Sequence, residues 1–197
     1  MIANAMDIPF DVIIFASGVS NSQCVSDALF KREIDLFKKI KKDKKIVYFS
    51  TITVHQKHKT PYIKHKILME KLVEQYDHII LRLPNLIGQL QSNVQLVPSL
   101  INQIIKGEVN IQENASRCIL DVEDISKIVI KFIKKNGIFN IFGRPVFIED
   151  LVHQISDILG VKPKINFIPA VEYPIIKHTI EIDTDYYSKI LKKYLSI

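Results

Sequence analysis

Lys45-Ile-Val-Tyr-Phe-Ser50-Thr51, then Pro61-Tyr-Ile-Lys-His-Lys66, then His78-Ile-Ile-Leu-Arg-Leu83 are the three stretches that decide the fold. The first and last are short, nearly unbroken runs of β-branched and aromatic residues, the pattern of strands buried on both faces. Between them, Ile63, Ile67, Leu68, Met69 and Leu72 recur with a helical period over residues 62–75, and Pro61 suits a helix's first turn. Strand, helix and strand in that order predict a parallel pair joined by a crossover helix.

Working outward, residues 11–16 form another β-rich run that empties into Ser17-Gly18, and residues 26–42 carry Ala28, Leu29, Ile34, Leu36, Phe37 and Ile40 at an approximate helical spacing. The prediction is a doubly wound, Rossmann-like α/β core. After Pro84-Asn85 the pattern loosens. Helices are expected over 97–106, 122–135 and 148–159, the last stopped by Gly160, with strands near 139–142 and 164–168. The aromatic pair Tyr186-Tyr187 and the helix-like residues 188–195 read as a C-terminal packing element or a dimer contact.

The chain has 197 residues, 47% of them hydrophobic, enough for one substantial core. No apolar run approaches membrane-span length, the N-terminus reads as no secretory signal, and two cysteines are too few for a disulfide framework. A reducing cytoplasm is the expected compartment. The net charge of +6 raises nucleic acid as a partner, but the densest run, at residues 38–45, falls at a helix end, where cations complement the dipole. No nucleic-acid, metal or membrane partner is expected. The six histidines lack paired metal spacing and read as surface or loop residues, and Cys24 and Cys118 read as small buried hydrophobes.

The chemistry gathers at Ser50-Thr51 and at Tyr62 and Lys66, which lie four apart on one helical face. An ammonium beside a phenol favours the phenolate, and a strand-end hydroxyl can bond a substrate oxygen. Such a trio can move a proton to or from an alcohol while a nicotinamide exchanges hydride at the same carbon.

With these residues in view, the chain resembles the extended short-chain dehydrogenase/reductase family of NAD-dependent epimerases, dehydratases and reductases acting on nucleotide sugars. The stretch Asp11-Val-Ile-Ile-Phe-Ala16-Ser17 is similar to the family's fourth strand and the cofactor turn after it, and residues 46–54 to the strand bearing the catalytic Ser/Thr. Tyr62-x-x-x-Lys66 matches the signature pair. The run Leu81-Arg-Leu-Pro84-Asn85-Leu-Ile-Gly88 matches the "R-x-P-N-x-x-G" run, and Arg117-Cys-Ile-Leu-Asp-Val-Glu-Asp124 a later element whose arginine meets a diphosphate.

The resemblance implies roles. Tyr62 is the acid/base, Lys66 lowers its pKa and holds a cofactor ribose, and Thr51 orients the sugar. Ala16, Ser17, Ser50 and Pro84 line NAD or NADP, while Asn85 and Arg117 face the nucleotide sugar. It implies a dinucleotide-binding core over residues 1–88, then remaining core elements at about 117–143 and a small α/β substrate lobe within 89–197, in one compact domain overall. The expected activity is epimerase or ketoreductase chemistry in surface polysaccharide biosynthesis, with homodimerisation through two helices common among look-alikes.

Several departures accompany the resemblance. No glycine-rich turn precedes the strand at 11–16, as if the sheet began N-terminally truncated, with residues 1–6 a remnant of the first helix. The alternative is a catalytically inactive binding or regulatory protein that has lost the cofactor loop. The asparagine that supports the family's lysine is not evident between Phe30 and Phe37, His55 stands where a tyrosine is common, and Ile52-Thr53 replaces the acidic pair a 4,6-dehydratase needs.

Overall fold

The computed structural model describes residues 11–89, 95–169 and 176–195. The N-terminal remnant proposed at residues 1–6 lies outside them. The chain forms two compact units: Met1–Leu83 with Val122–Ile141, and Pro84–Asp121 with Phe142–Ile197.

The first unit is built on four parallel strands, β1 (Val12–Phe15), β2 (Lys45–Thr51), β3 (His78–Leu83) and β8 (Gly137–Asn140), in the order β1-β2-β3-β8. Successive side chains of a strand alternate between faces. Ile46, Tyr48 and Ile80 therefore share one face, where they pack with Phe15 and with Phe37 of α1 (Asp27–Lys39) and Met69 and Val73 of α2 (Pro61–Val73). Val47, Ile79 and Leu81 point the other way and are also fully buried, which is why the runs carry no polar alternation. A sheet covered on both faces by crossover elements is the doubly wound α/β architecture the sequence predicts.

Local signals explain the helix ends. Ser26 accepts a hydrogen bond from the Leu29 N–H, and Thr60 from the Ile63 N–H, each capping a helix start, with Pro61 at the first turn of α2. At the other end of α1, Lys42 Nζ donates to the carbonyls of Phe37, Lys38 and Ile40, so part of the basic run satisfies a helix terminus. The helix α4 (Asp124–Phe132) leads into β8, which starts two residues before the stretch expected from the sequence because Gly137 already pairs with Ile79.

The second unit holds strands that the loosened pattern hid. Short β4 (Asn85–Ile87) pairs with β7 (Ile119–Asp121), β6 (Ser116–Arg117) with β9 (Val146–Phe147), and β5 (Glu108–Gln112) with β10 (Lys164–Ile168). Strands of two or three residues leave almost no periodicity to read. The helices α3 (Leu96–Ile105), α5 (Ile148–Leu159) and α6 (Tyr186–Leu195) close a core around Leu100, Ile104, Leu151, Ile155, Tyr187 and Leu191. Gly160 ends α5 in the left-handed region at φ 66°, where a side chain would be strained. The Tyr186-Tyr187 pair and the helix around it thus serve packing.

Both cysteines are buried. Burial pushes the Cys118 thiol up to about 11, against a hydrogen bond from the Gly143 N–H to its Sγ. Only the thiolate reacts with a maleimide, so Cys118 in folded protein at pH 8 is expected to label far more slowly than in urea-unfolded protein. Equal rates in a timed alkylation would contradict its placement.

Candidate functional site

In a parallel sheet every strand ends on the same side, and open α/β proteins bind ligands there, beyond the carboxyl ends. The turn after β1 carries Ala16, Ser17 and Gly18, and β2 ends at Thr51, followed by a 3-10 turn over Ile52–His55. The first turn of α2 carries Tyr62, one turn ahead of Lys66. The short gap between Thr51 and Tyr62 thus folds into a compact turn and a capped helix start.

The structure brings Thr51, Tyr62 and Lys66 together. The Thr51 hydroxyl lies 2.9 Å from Thr53 Oγ1 and near enough to the Tyr62 phenol to lower its pKa. The Lys66 ammonium lies 6.0 Å from the Tyr62 ring centroid. Both side chains are buried, Tyr62 at 6% exposure and Lys66 at 3%.

The Tyr62 phenol stands above its usual range: burial pushes it well up, the Thr51 hydroxyl pulls it partway back, and the Glu33 charge adds to the rise. Burial also lowers the Lys66 pKa, against the raising fields of Glu33 and Glu70. Lys66 Nζ donates to Tyr48 Oη at 3.0 Å and to Glu33 Oε1 at 3.3 Å.

Glu33 is the residue that sequence reasoning missed. It lies on the buried stripe of α1 between Phe30 and Phe37 and is fully shielded from solvent. Its carboxylate also accepts from Tyr48 Oη–H at 2.9 Å and the Val19 N–H at 2.7 Å, and His65 Nε2 sits 2.9 Å away. Burial alone would raise the Glu33 pKa; Lys66, the Val19 N–H, His65 and Tyr48 outweigh it and hold the carboxyl below its usual range. The available signal was an acid three residues after one buried aromatic and four before another, on the same helical face as both.

His65, expected at the surface, is 5% exposed, stacked on Phe30 at 4.5 Å between ring centroids. Its place follows from α2 burying nearly a full turn, so that residues 62, 63, 65 and 66 all face inward. Ser50 donates to Glu70 Oε1 at 2.5 Å, and Arg82 grips both oxygens of Glu70 at 2.9 and 2.6 Å.

Within the second unit, the pairing of Asn85 with Ile119 brings Asn85 to the strand segment after Arg117, and its amide donates to the Cys118 carbonyl at 3.4 Å. The Arg117 guanidinium donates to the Ser116 carbonyl and to Gln112 Oε1. Pro84 follows β3 directly and begins this unit.

A nicotinamide dinucleotide fits these residues in part. A Cβ on Gly18 would fall 2.7 Å from Lys66 Nζ and 2.7 Å from Glu33 Oε1, so the turn after β1 lies close against the lysine and a side chain there would displace one of the two groups. A turn, a buried ammonium and a phenol at the sheet's carboxyl edge suit a nicotinamide ribose. No glycine-rich turn for a pyrophosphate occurs in the sequence. Among the described residues, no group of three His, Cys, Asp or Glu side chains could hold a metal, and no helix is long and apolar enough to cross a membrane.

A doubly wound sheet with a strand-end hydroxyl and a Tyr-x-x-x-Lys helix defines a Rossmann-like fold of the short-chain dehydrogenase/reductase type. The family model described as NAD dependent epimerase/dehydratase matches residues 40–141, and the chain belongs to that family. Among solved structures, a UDP-N-acetylglucosamine 4-epimerase from Methanobrevibacter ruminantium M1, in complex with UDP-N-acetylmuramic acid, superposes with a TM-score of 0.74 at 20% identity, over 94% of this chain and 76% of that one. RMD from Pseudomonas aeruginosa, complexed with NADPH, gives 0.62 at 20% identity over 81% and 69%. A dTDP-4-dehydrorhamnose reductase from Clostridium acetobutylicum ATCC 824 gives 0.64 at 18% identity over 94% and 80%. At these identities the likeness is one of fold. No curated protein sequence matches.

Proposed function

We propose that this protein is an NAD(P)-dependent epimerase or ketoreductase of nucleotide sugars, serving surface polysaccharide synthesis, with Thr51, Tyr62 and Lys66 as its working residues. The observation that carries the reading is the placement of the Tyr62 phenol near the Thr51 hydroxyl at the carboxyl edge of the sheet, with Lys66 one helical turn below. Tyr62 exchanges a proton with the sugar oxygen, Thr51 aligns that oxygen, and Lys66 holds the ribose beside the turn at Ala16 and Ser17. The nicotinamide, when bound, supplies or accepts hydride at the carbon bearing that oxygen. Ser50 and Pro84 flank the cofactor, and Asn85 and Arg117 take the nucleotide sugar, the guanidinium suiting a diphosphate. Residues 1–88, with the core elements near 117–143, form the dinucleotide-binding part, and the rest of 89–197 forms the substrate lobe.

A second reading, a non-catalytic binding protein of the same fold, is favoured by the near-complete burial of Lys66 beneath Gly18. Calorimetric titration with NAD(H) and NADP(H) separates the two. Micromolar binding to one of them, weakened by Lys66→Met, is the expected result; absence of heat with either form would leave the binding-protein reading.

A further inference from the structure

We infer that the amino edge of the first unit's sheet, where α1 and α4 end, is a docking surface for an anionic lipid bilayer. The basic run at residues 38–45 that forms part of this edge has no place in the proposed site, so neither reading depends on the other.

Topology gathers the charge. In a parallel sheet joined by crossover helices, each helix ends where the next strand begins. Thus α1 ends at the start of β2, α2 at the start of β3 and α4 at the start of β8, all on the edge opposite Thr51. Lys45 ties two of these ends together, its Nζ donating to the carbonyls of Ile133 and Lys135 at 3.2 and 3.1 Å. Residues 37–45, 74–78 and 130–137, with Asp11, hold nine lysines against four acids, Asp11, Asp43, Glu74 and Asp77. That excess is most of the chain's net charge of +6.

Structural duties take three of these lysines. Lys42 caps the end of α1, Lys45 satisfies carbonyls at the end of α4, and Lys44 pairs with Asp11. Lys38, Lys39, Lys41, Lys131, Lys134 and Lys135 are exposed, and among the described residues none of the six is paired with a carboxylate. Like charges gathered on one edge repel one another, and an external surface of opposite sign relieves that cost.

The apolar side chains set among the charges select a bilayer over a nucleic acid. Helix α4 buries Ile125, Ile128, Val129 and Phe132 and turns Ile130 outward at 43% exposure, beside Lys131 and one turn before Lys134. At the end of α2, Tyr76 is 36% exposed, with Lys42 Nζ 5.7 Å from its ring centroid. An aliphatic side chain between lysines gains nothing from a phosphate backbone. At a headgroup–acyl boundary it is buried, while the lysine stems carry their ammoniums to the lipid phosphates. The contact is with the membrane's surface only: among the described residues no helix is long and apolar enough to cross one. Docked this way, the sheet holds its carboxyl edge, with Thr51 and Tyr62, away from the lipid.

The test is co-sedimentation of the full chain with phosphatidylcholine vesicles containing about one third phosphatidylglycerol, at about 0.1 M salt, where charges act over about 10 Å. It needs neither cofactor nor substrate, so its outcome is separate from that of the calorimetric test of function. The chain is expected to pellet with these vesicles, not with phosphatidylcholine alone, and to be released at about 1 M salt. A lysine near an anionic surface strengthens partition about fivefold, so Lys38→Gln with Lys41→Gln, and Lys131→Gln with Lys134→Gln, should each weaken it about 25-fold. All four positions are exposed, and circular dichroism should be unchanged. Ile130→Ser is expected to weaken binding a few fold. Lys31→Gln with Lys64→Gln, which removes the same charge from the front halves of α1 and α2, should change it by no more than about twofold. No pelleting with the anionic vesicles overturns the inference, as does equal pelleting with phosphatidylcholine alone. An equal loss in the Lys31 and Lys64 variant would assign the binding to overall charge and overturn it. Release from the vesicles by duplex DNA at equal phosphate concentration would assign the edge to nucleic acid, and overturns it too.

Discussion

Tyr62→Phe is expected to lower turnover of a nucleotide sugar by about 10²- to 10⁴-fold, the usual contribution of a positioned acid or base. The phenol sits at 6% exposure, where the ring packs and only the hydroxyl does chemistry. Phenylalanine keeps the ring and removes only the hydroxyl, so circular dichroism and the unfolding midpoint should change little while kcat collapses. A variant that keeps its rate would remove Tyr62 from the mechanism and shift attention to another group.

The second large effect is on stability. Glu33→Ala is expected to cost about 3–5 kcal/mol in urea unfolding, the range for breaking a buried ion pair on one side. Lys66 would lose the carboxylate that supports its charge at 3% exposure, and Tyr48, the Val19 N–H and His65 would each lose an acceptor. The sign with pH follows from the carboxyl's position below its usual range in the folded state. Its contribution is fully present above the unfolded carboxylate pKa and is lost as pH falls through the folded value. The gap between native and variant proteins should therefore be wide at pH 7 and narrow in acid. A gap under about 1 kcal/mol at pH 7 would show that the cluster relaxes around an unpaired lysine.

How much of this was legible in the sequence depends on the kind of signal. The strands Lys45–Thr51 and His78–Leu83 and the helices Pro61–Val73 and Ile148–Leu159 could be read because length, apolar continuity and end signals agree within each. The strands at 85–87, 116–117, 119–121 and 146–147 could not, since two or three residues carry no period and their pairing is fixed by tertiary contacts. Strand Glu108–Gln112 alternates outward and inward, but Asn110 and Gln112 with Gly107 beside them read as a loop.

The site divides the same way. Tyr62, Lys66 and Thr51 follow from spacing within a strand–turn–helix unit, and the fold brings them together. Glu33 lies 33 residues from Lys66 in sequence, and the two meet only through packing of neighbouring helices. The partners of the ammonium have the same origin: helical spacing puts Lys66 near Tyr62, and only the tertiary structure shows it bonded to Glu33 and Tyr48.

The central claim is that Tyr62 and a nicotinamide act on one carbon of a sugar nucleotide at the carboxyl edge of the sheet. Its most direct test is mass spectrometry of the product formed when the chain is mixed with a 4-keto nucleotide sugar and reduced nicotinamide dinucleotide deuterated at the transferable position. The account predicts one deuterium in the sugar ring, strongly diminished in Tyr62→Phe. Product without deuterium, or the same incorporation in Tyr62→Phe, would contradict it.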